Sequence, residues 1–337
     1  MAIVKELQSR GHTVEWLGTR GRIEERVVPA AGINIHYIDV KGVRRNGIMS
    51  LLKAPFMVMH AVSQAKKVIK EFKPDVVIGF GGYASGPGGV AASLSGIPLI
   101  LHEQNAAAGL TNRLLSRFAS KILLGVGNAF NGPKVESVGN PVRSEILALH
   151  SQERSFERED GKTRILVIGG SLGAVALNKA VPAALEGFNE NEVSVFHQCG
   201  KDRSEETAQL YKSVKCEFVT SDFVEDMASA YHNADLIICR AGASTVSEVS
   251  AAKLPAIFVP LPTAVDDHQT KNAQSLVSVG AAKLLPQSEL TSEALHQLIV
   301  ELRNPQTLKA MSEAAAKAAK LDATTRVADI AEELANK

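Results

Sequence analysis

The chain is short of cysteine, of aromatic residues and of net charge, and each shortage removes a class of protein. Its three cysteines, Cys199, Cys216 and Cys239, are odd in number and lack CxxC spacing. Neither a disulfide framework nor a zinc site is indicated, and they read as buried thiols in a reducing cytosol. Aromatic residues make up 5% of the 337 residues, and no Lys/Arg block is interleaved with them as a base-stacking platform requires. With a formal net charge of +1 there is no global field to gather nucleic acid, which is not expected as a partner. No apolar run reaches the roughly 18 residues of a membrane-crossing helix. The first residues lack the charged and apolar regions of a signal peptide, so any membrane contact is expected to be peripheral.

What is present is ordinary globular material, 45% apolar and 22% charged, in a length that suggests two domains each able to bury its own core. Short runs rich in Val, Ile and Leu alternate with longer stretches of helical period, the pattern of parallel strands buried on both faces. Strands are expected at Val14–Leu17, Asp75–Phe80, Leu99–His102, Lys121–Leu124, Arg164–Ile168, Val193–Gln198, Leu236–Cys239, Ala256–Val259 and Ala282–Leu285. The fold class is therefore α/β, with parallel sheets in two Rossmann-like domains. The stretch Ser151–Arg164 is strongly charged and almost free of large apolar residues, so it is expected to stand outside any core. The predicted organisation is a first domain over 1–143, a charged linker over 144–163, a second domain over 164–320 and a C-terminal helix over 321–337 that packs back on the first domain. The opening MAIVKELQSRGHTVEWLGT reads as the tail of an amphipathic helix, a turn and then a strand. In a doubly wound domain the opening strand is normally central and its turn faces phosphate, so a first strand and its loop are expected to be absent from this sequence, the alternative being a fold that starts with a helix.

Three glycine-rich loops follow predicted strands. Gly79–Gly89 holds six glycines and Pro87 between a strand and a helix, which lets backbone N–H groups come close to an anion, or serves only as a tight connection. Ile168–Ala174 (IGGSLGA) brings a helix start and the Ser171 hydroxyl to one spot suited to a diphosphate. It is not the dinucleotide GxGxxG, and no acidic residue ends the next strand, so NAD is disfavoured. Cys239–Glu248 (CRAGASTVSE) places small hydroxyls near N–H donors, and Glu248 on the early turns of its helix is suited to two ribose hydroxyls or simply to the helix dipole. Ligands of open α/β sheets bind outside the carboxyl ends of the strands, so three such loops define one cleft.

His102-Glu-Gln-Asn105 and Asn140-Pro-Val-Arg143 are expected beside that cleft, with Arg143 either a planar phosphate fork or an exposed linker residue. Pro262–Gln269 looks like a metal site, but no ligand spacing elsewhere supports one; Asp266 and Asp267 read as caps of the helix that starts near His268, and no metal or other cofactor is called for. His197, within an apolar strand, reads as a satisfied core histidine. Between Lys41 and Lys73 a basic flank (Lys41, Arg44, Arg45, Lys53) meets apolar Ile48, Leu51, Leu52, Phe56 and Met57. That combination suits an anionic membrane surface, or a helix burying one face in its own domain.

Six of these segments, FGGYASGPGG, LHEQNAAAGLTN, VGNPVR, IGGSLGA, CRAGASTVSE and DDHQTKNA, stand in the order found in the MurG family of peptidoglycan glycosyltransferases, and the resemblance spans essentially the whole chain. It implies the two-domain GT-B arrangement, with parallel sheets facing a cleft. It also implies inverting transfer of N-acetylglucosamine from UDP to the C4 hydroxyl of undecaprenyl-diphospho-N-acetylmuramoyl-pentapeptide, at the cytoplasmic face of the inner membrane. Carried over by position, Asn105, Arg143, Ser171, Val224, Ala243, Ser244, Thr245, Val246, Ser247, Glu248 and Gln269 would contact the UDP-sugar. Glu248 would hold the ribose, Val224 the uracil through its backbone, and Ser171 with the helix after Gly173 the diphosphate. Gly81, Gly82, Tyr83, Ser85, Gly86, His102, Glu103 and Asn112 would face the lipid-linked acceptor and its diphosphate. The basic-apolar patch would meet the anionic inner leaflet, and other cell-wall synthesis proteins are conceivable partners. Members of the family open with a strand and a Gly-Gly-Thr-Gly-Gly-His loop whose histidine is the expected general base, and the sequence begins past that point. The catalytic base is therefore unassigned, with His102 the nearest candidate, and loss of a general base costs roughly 10²–10⁴-fold. The alternatives are a non-catalytic nucleotide-sugar-binding protein and a UDP-sugar 2-epimerase of the same fold.

Overall fold

The computed structural model describes residues 1–40, 47–170 and 173–336, with 47–54 described in their backbone only. The chain divides into two compact units, one of Met1–Gln104, Ala108–Pro141 and Asp322–Lys337, the other of Asn105–Ala107 and Val142–Leu321.

In the first unit the strands are β1 (Trp16–Gly18), β2 (Ile35–Tyr37), β3 (Val77–Gly79), β4 (Leu99–Glu103), β5 (Lys121–Leu124) and β6 (Val135–Ser137). β1 pairs with β2, and β3, β4, β5 and β6 form a second sheet in that order; every pairing is parallel. A groove of about 980 Å³ runs between the two sheets, lined by Glu15, Trp16 and Leu17 on one side and Val77, Ile78 and Gly79 on the other. Two glycines of the helix Ser85–Leu94 permit its close packing beside this groove. A Cβ on Gly88 would stand 2.9 Å from Leu17 Cδ2, and one on Gly89 2.7 Å from a Leu115 methyl. The C-terminal helix Ala323–Ala335 belongs to this unit. It buries Val327, Ile330 and Ala331 against Ile3 and Leu7 of the helix Ala2–Ser9. Polar ties frame the contact: Arg10 donates to Asp329 at 2.7 Å and Glu332 at 2.9 Å, and Arg326 pairs with Glu136 at 2.6 Å.

The second unit contains β7 (Thr163–Ile168), β8 (Val193–Gln198), β9 (Glu217–Ser221), β10 (Leu236–Cys239), β11 (Ala256–Phe258) and β12 (Ala282–Leu284). Their order is β12-β11-β10-β7-β8-β9, all parallel, so the chain winds outward from β7 on one side and then returns to wind outward from β10 on the other. That is the doubly wound dinucleotide-fold order, and its topological switch lies between the carboxyl ends of β7 and β10. Ile165, Val167, Val195 and Ile238 on these strands pack with Leu177, Val181 and Leu185 of the helix Val175–Leu185 in one core.

β2, β6 and β9 were not expected. All three are edge strands, paired on one side, and their sequences IHY, VES and EFVTS carry the polar residues an uncovered edge tolerates rather than a two-sided apolar run. The charged stretch Ser151–Arg164 was expected to stay outside any core, and the structure corrects this. Phe156 is 9% exposed within the second unit's core, and Arg158 donates to Asp235, itself 1% exposed, at 2.7 Å. Arg154 donates to the carbonyls of Tyr231, Ala234 and Ala252. Burial pushes its guanidinium pKa down to about 10, so it remains charged at neutral pH. Long aliphatic stems let arginines enter a core whose carbonyls satisfy their heads.

Candidate functional site

The two loops at the switch point of the second unit are the glycine segments singled out above. After β7, Gly169 has no room for a side chain, since a Cβ would stand 2.6 Å from the Ala174 nitrogen, and Gly173 adopts φ +72°. Ser171 and Leu172 lie outside the described residues, so the role expected of the Ser171 hydroxyl has no geometry here. The loop is braced from β8. Gln198 accepts from the Gly170 N–H at 3.0 Å and donates to the carbonyls of Gly170 at 3.1 Å and Asp222 at 2.7 Å. The Asp222 carboxylate in turn accepts three backbone N–H bonds, from Asp202, Arg203 and Ser204, which hold its pKa down to about 2. The segment carrying Val224 is thereby fixed to the loop after β7. Val224 itself is half-buried on the wall of a groove of about 1030 Å³ that also presents Phe196, Phe218 and Ala230.

After β10 the helix Ala243–Ala251 starts on Gly242, and its first N–H groups open toward the carboxyl edge of the sheet. Ser244 is exposed and Thr245, Ser247 and Glu248 are half-buried, whereas Ala243 (9%) and Val246 (1%) are turned into the core. Of the residues expected to meet a nucleotide sugar, those two have no side chain to offer it. Glu248 is 16% exposed and is met by Arg143, whose Nε donates to Oε1 at 3.1 Å. Sequence reasoning placed both residues at the site and did not foresee that they pair. It also missed Tyr231, whose O–H donates to Glu248 Oε2 at 3.0 Å.

Asn105–Ala107 group with this unit. Asn272, fully buried, donates to Asn105 Oδ1 at 3.2 Å and to the Ala241 carbonyl at 3.1 Å, and accepts from the Ala106 N–H at 2.7 Å. Gln269 accepts from the Leu261 N–H at 2.9 Å. Asp267 stands at the start of the helix His268–Val277 with φ +51°. It makes no side-chain bond to the helix backbone and accepts instead from the Thr270 hydroxyl at 2.7 Å, so the expected cap is not made. Among the described residues, no group of three or more His, Cys, Asp or Glu is placed to hold a metal ion. His197 is buried between Tyr211 Oη at 2.8 Å and Asn178 Oδ1 at 3.2 Å, and burial pushes its pKa down to about 4. The three thiols are free and buried.

In the first unit the loop Gly79–Ser85 turns through Gly81 (φ +77°) and Gly82 (φ +83°), and the Ser85 hydroxyl bonds back to the Gly81 carbonyl at the helix start. Tyr83 is exposed, with the Arg22 guanidinium 4.7 Å from its ring centre. Gly86 is a packing position, 3.6 Å from the Thr111 methyl for a notional Cβ. His102, Glu103 and Asn112 were expected to face an acceptor, but all three are interior. His102 is 0% exposed, its Nε2 bonded to the Gly139 carbonyl at 3.0 Å, and desolvation lowers its pKa. Its other nitrogen lies toward Gln104 at 3.4 Å, so both ring nitrogens face protein groups. Glu103 accepts from the Gly109 N–H at 3.0 Å and Asn112 Nδ2 at 2.8 Å, anchoring the start of the helix Leu110–Leu115. These polar residues shape the loop from behind rather than line it.

The chain matches the glycosyltransferase family 28 N-terminal domain over residues 1–124 and the C-terminal domain of the same family over residues 164–334. It is 49% identical over 341 residues to a UDP-N-acetylglucosamine–N-acetylmuramyl-(pentapeptide) pyrophosphoryl-undecaprenol N-acetylglucosamine transferase of Shewanella pealeana, covering 100% of this chain and 93% of that one. It is 50% identical to the transferase of the same name from Aeromonas hydrophila, covering 99% of this chain and 92% of that one. Among solved structures, the crystal structure of MurG from Acinetobacter baumannii superposes with a TM-score of 0.88 at 43% identity, over 98% of this chain and 94% of that one.

Proposed function

The chain belongs to glycosyltransferase family 28, and on that premise we propose that it moves N-acetylglucosamine from UDP to the C4 hydroxyl of undecaprenyl-diphospho-N-acetylmuramoyl-pentapeptide, with inversion at the anomeric carbon. The observation that carries this reading is near-half identity along the whole chain to transferases named for that donor and acceptor. In the reaction the acceptor oxygen attacks C1 of the sugar from the face opposite UDP. The C1–O bond to the diphosphate breaks, UDP leaves with the electron pair, and the acceptor proton passes to a base that remains unassigned.

The donor is proposed to lie at the switch point of the second unit. Glu248 takes a ribose hydroxyl, the backbone at Val224 meets the uracil, and Asn105, Arg143 and Gln269 complete the contacts. The diphosphate is assigned to Ser171 and to the starts of the helices Val175–Leu185 and Ala243–Ala251, with Ser244, Thr245 and Ser247 beside it. A helix N-terminus carries roughly half a positive charge, which favours the charge that builds on UDP as the bond breaks. Gly81, Gly82, Tyr83 and Ser85 in the first unit are proposed to receive the acceptor's diphosphate, since a loop with two left-handed glycines exposes N–H groups without side-chain cover.

Contact with an anionic membrane surface on the cytoplasmic side is part of the same proposal. No helix among the described residues is long and apolar enough to cross a membrane. The helix Gly47–Phe72 exposes Phe56, Val58 and Met59 and then, toward its end, Lys66, Lys67 and Lys70. Apolar side chains followed by lysines suit adsorption to anionic lipid. Lys41, Arg44 and Arg45 lie outside the described residues, as do the side chains of Ile48, Leu51, Leu52 and Lys53. Changing Phe56 and Met59 together to Glu is expected to lower sedimentation with phosphatidylglycerol vesicles and to leave UDP affinity unchanged; vesicle binding that persists removes this helix as the contact.

The decisive experiment is transfer of labelled N-acetylglucosamine to a lipid-linked N-acetylmuramoyl-pentapeptide. Formation of the disaccharide lipid supports the proposal. Turnover of UDP-N-acetylglucosamine without acceptor points to epimerase chemistry instead, and UDP binding with no product in either assay points to a non-catalytic binding protein.

A further inference from the structure

Both oxygens of the Glu248 carboxylate have protein partners, and the two partners differ in kind. Arg143, on Oε1, is 48% exposed, so its bond is screened and readily exchanged. Tyr231, on Oε2, is 1% exposed and reaches the carboxylate from inside the unit. We propose that Tyr231 is a positioning residue for nucleotide binding, holding Oε2 of Glu248 from within so that Oε1 is turned outward to a ribose hydroxyl that displaces Arg143. This rests on the reading of Glu248 as the ribose-binding carboxylate.

The placement of Tyr231 is over-determined, as a positioning role requires. Its helix, Met227–Asn233, is capped at the start by Asp226, which accepts from the Ser229 N–H at 3.0 Å and the Ser229 hydroxyl at 2.6 Å. At the other end the Arg154 guanidinium donates to the Tyr231 carbonyl at 2.7 Å and to the Ala252 carbonyl at 3.2 Å. Ala252 directly follows the helix that carries Glu248. One buried cation thus ties the backbone of Tyr231 to the helix of its partner, and the phenol closes the link on the side chain. Burial and the neighbouring Glu248 charge raise the Tyr231 pKa well above its ordinary value, so the phenol keeps its proton and remains a donor. The cap of the same short helix, Asp226, stands two residues after Val224, so the segment assigned to the base and the carboxylate assigned to the ribose are joined through Tyr231.

The test measures binding of UDP and of 2′,3′-dideoxy-UDP to the full chain by calorimetry. The second nucleotide shares base and diphosphate but offers no ribose hydroxyls. The wild-type chain is expected to prefer UDP, and Tyr231→Phe, which removes one oxygen and keeps the ring packing, should shrink that preference about tenfold, the scale of a hydrogen bond to a charged group. Affinity for the dideoxy nucleotide should not change. Glu248→Ala should abolish the preference. If Tyr231→Phe weakens both nucleotides equally, its role is only structural and the proposal fails. If Glu248→Ala removes the preference while Tyr231→Phe retains it, positioning by Tyr231 is overturned and the ribose assignment stands. If Glu248→Ala retains the preference, the ribose assignment fails and takes the role of Tyr231 with it.

Discussion

In the second unit β7 is held on both sides, by β8 and by β10, whereas in the first unit β1 and β3 each carry one ladder among the described residues and share a groove between them. The strand orders are otherwise alike: two strands to one side of the centre, and a longer run to the other. The comparison separates two ways of holding a parallel sheet. β7 is secured by backbone ladders and a large core, while the β1–β2 ribbon is secured by small apolar contacts, such as Val4, Val28 and Ile33 and the approach of Leu17 to Gly88.

The largest effect that would sharpen this contrast is a pair of core truncations. Leu177→Ala in the second unit should cost about 2–5 kcal/mol, and Ile33→Ala beside the ribbon about 2 kcal/mol or less, because a small cluster next to open space collapses with little residual cavity. Denaturant unfolding followed separately for each unit reads the difference, and equal losses would break the comparison. Next comes the pH response of the second unit. His197 is neutral in the fold with a pKa of about 4, against ~6.5 when unfolded. Its contribution is therefore present above about pH 6.5 and is lost as the pH falls toward 4, a change of about 3 kcal/mol. Stability curves of the wild type and of His197→Gln should diverge in that window; parallel curves would mean that another group governs acid unfolding. The smallest effect is expected where the first unit fastens its C-terminal helix. Arg326→Met removes a half-exposed pair with Glu136 and should cost about 1 kcal/mol or less by thermal unfolding. A loss of several kcal/mol there would show that the first unit leans on polar ties to an extent the second does not.

Much of this architecture is legible in the chain because buried parallel strands announce themselves as apolar runs, and nine strands were found that way. The three that were not, β2, β6 and β9, sit at sheet edges where one side is unpaired and polarity is permitted. The charged stretch Ser151–Arg164 misled for a related reason: counting apolar residues does not see that Arg154 and Arg158 bury their stems once carbonyls and Asp235 meet their heads. The glycine loops were legible as backbone requirements, and the structure sets two of them at the switch point. The polar residues beside them were harder to read. His102, Glu103 and Asn112 follow an apolar strand as substrate ligands would, yet they point inward, because the turn after β4 needs internal partners for its N–H groups. Tyr231 was invisible, since nothing along the chain links a tyrosine in MASAYHN to a carboxylate on the next helix.

The buried guanidinium of Arg154 also decides where the second unit can be cut from the chain. A fragment beginning at Thr163 would retain every strand of its sheet, but it would leave the carbonyls of Tyr231, Ala234 and Ala252 without their shared donor, strip Asp235 of Arg158 and open the core at Phe156. Unmet carbonyls and an uncompensated interior carboxylate each cost more than the hydrogen bonds they replace. The main segment of the second compact unit therefore starts at Val142, some twenty residues before its first strand, and what looks like a tether is part of the domain it leads to.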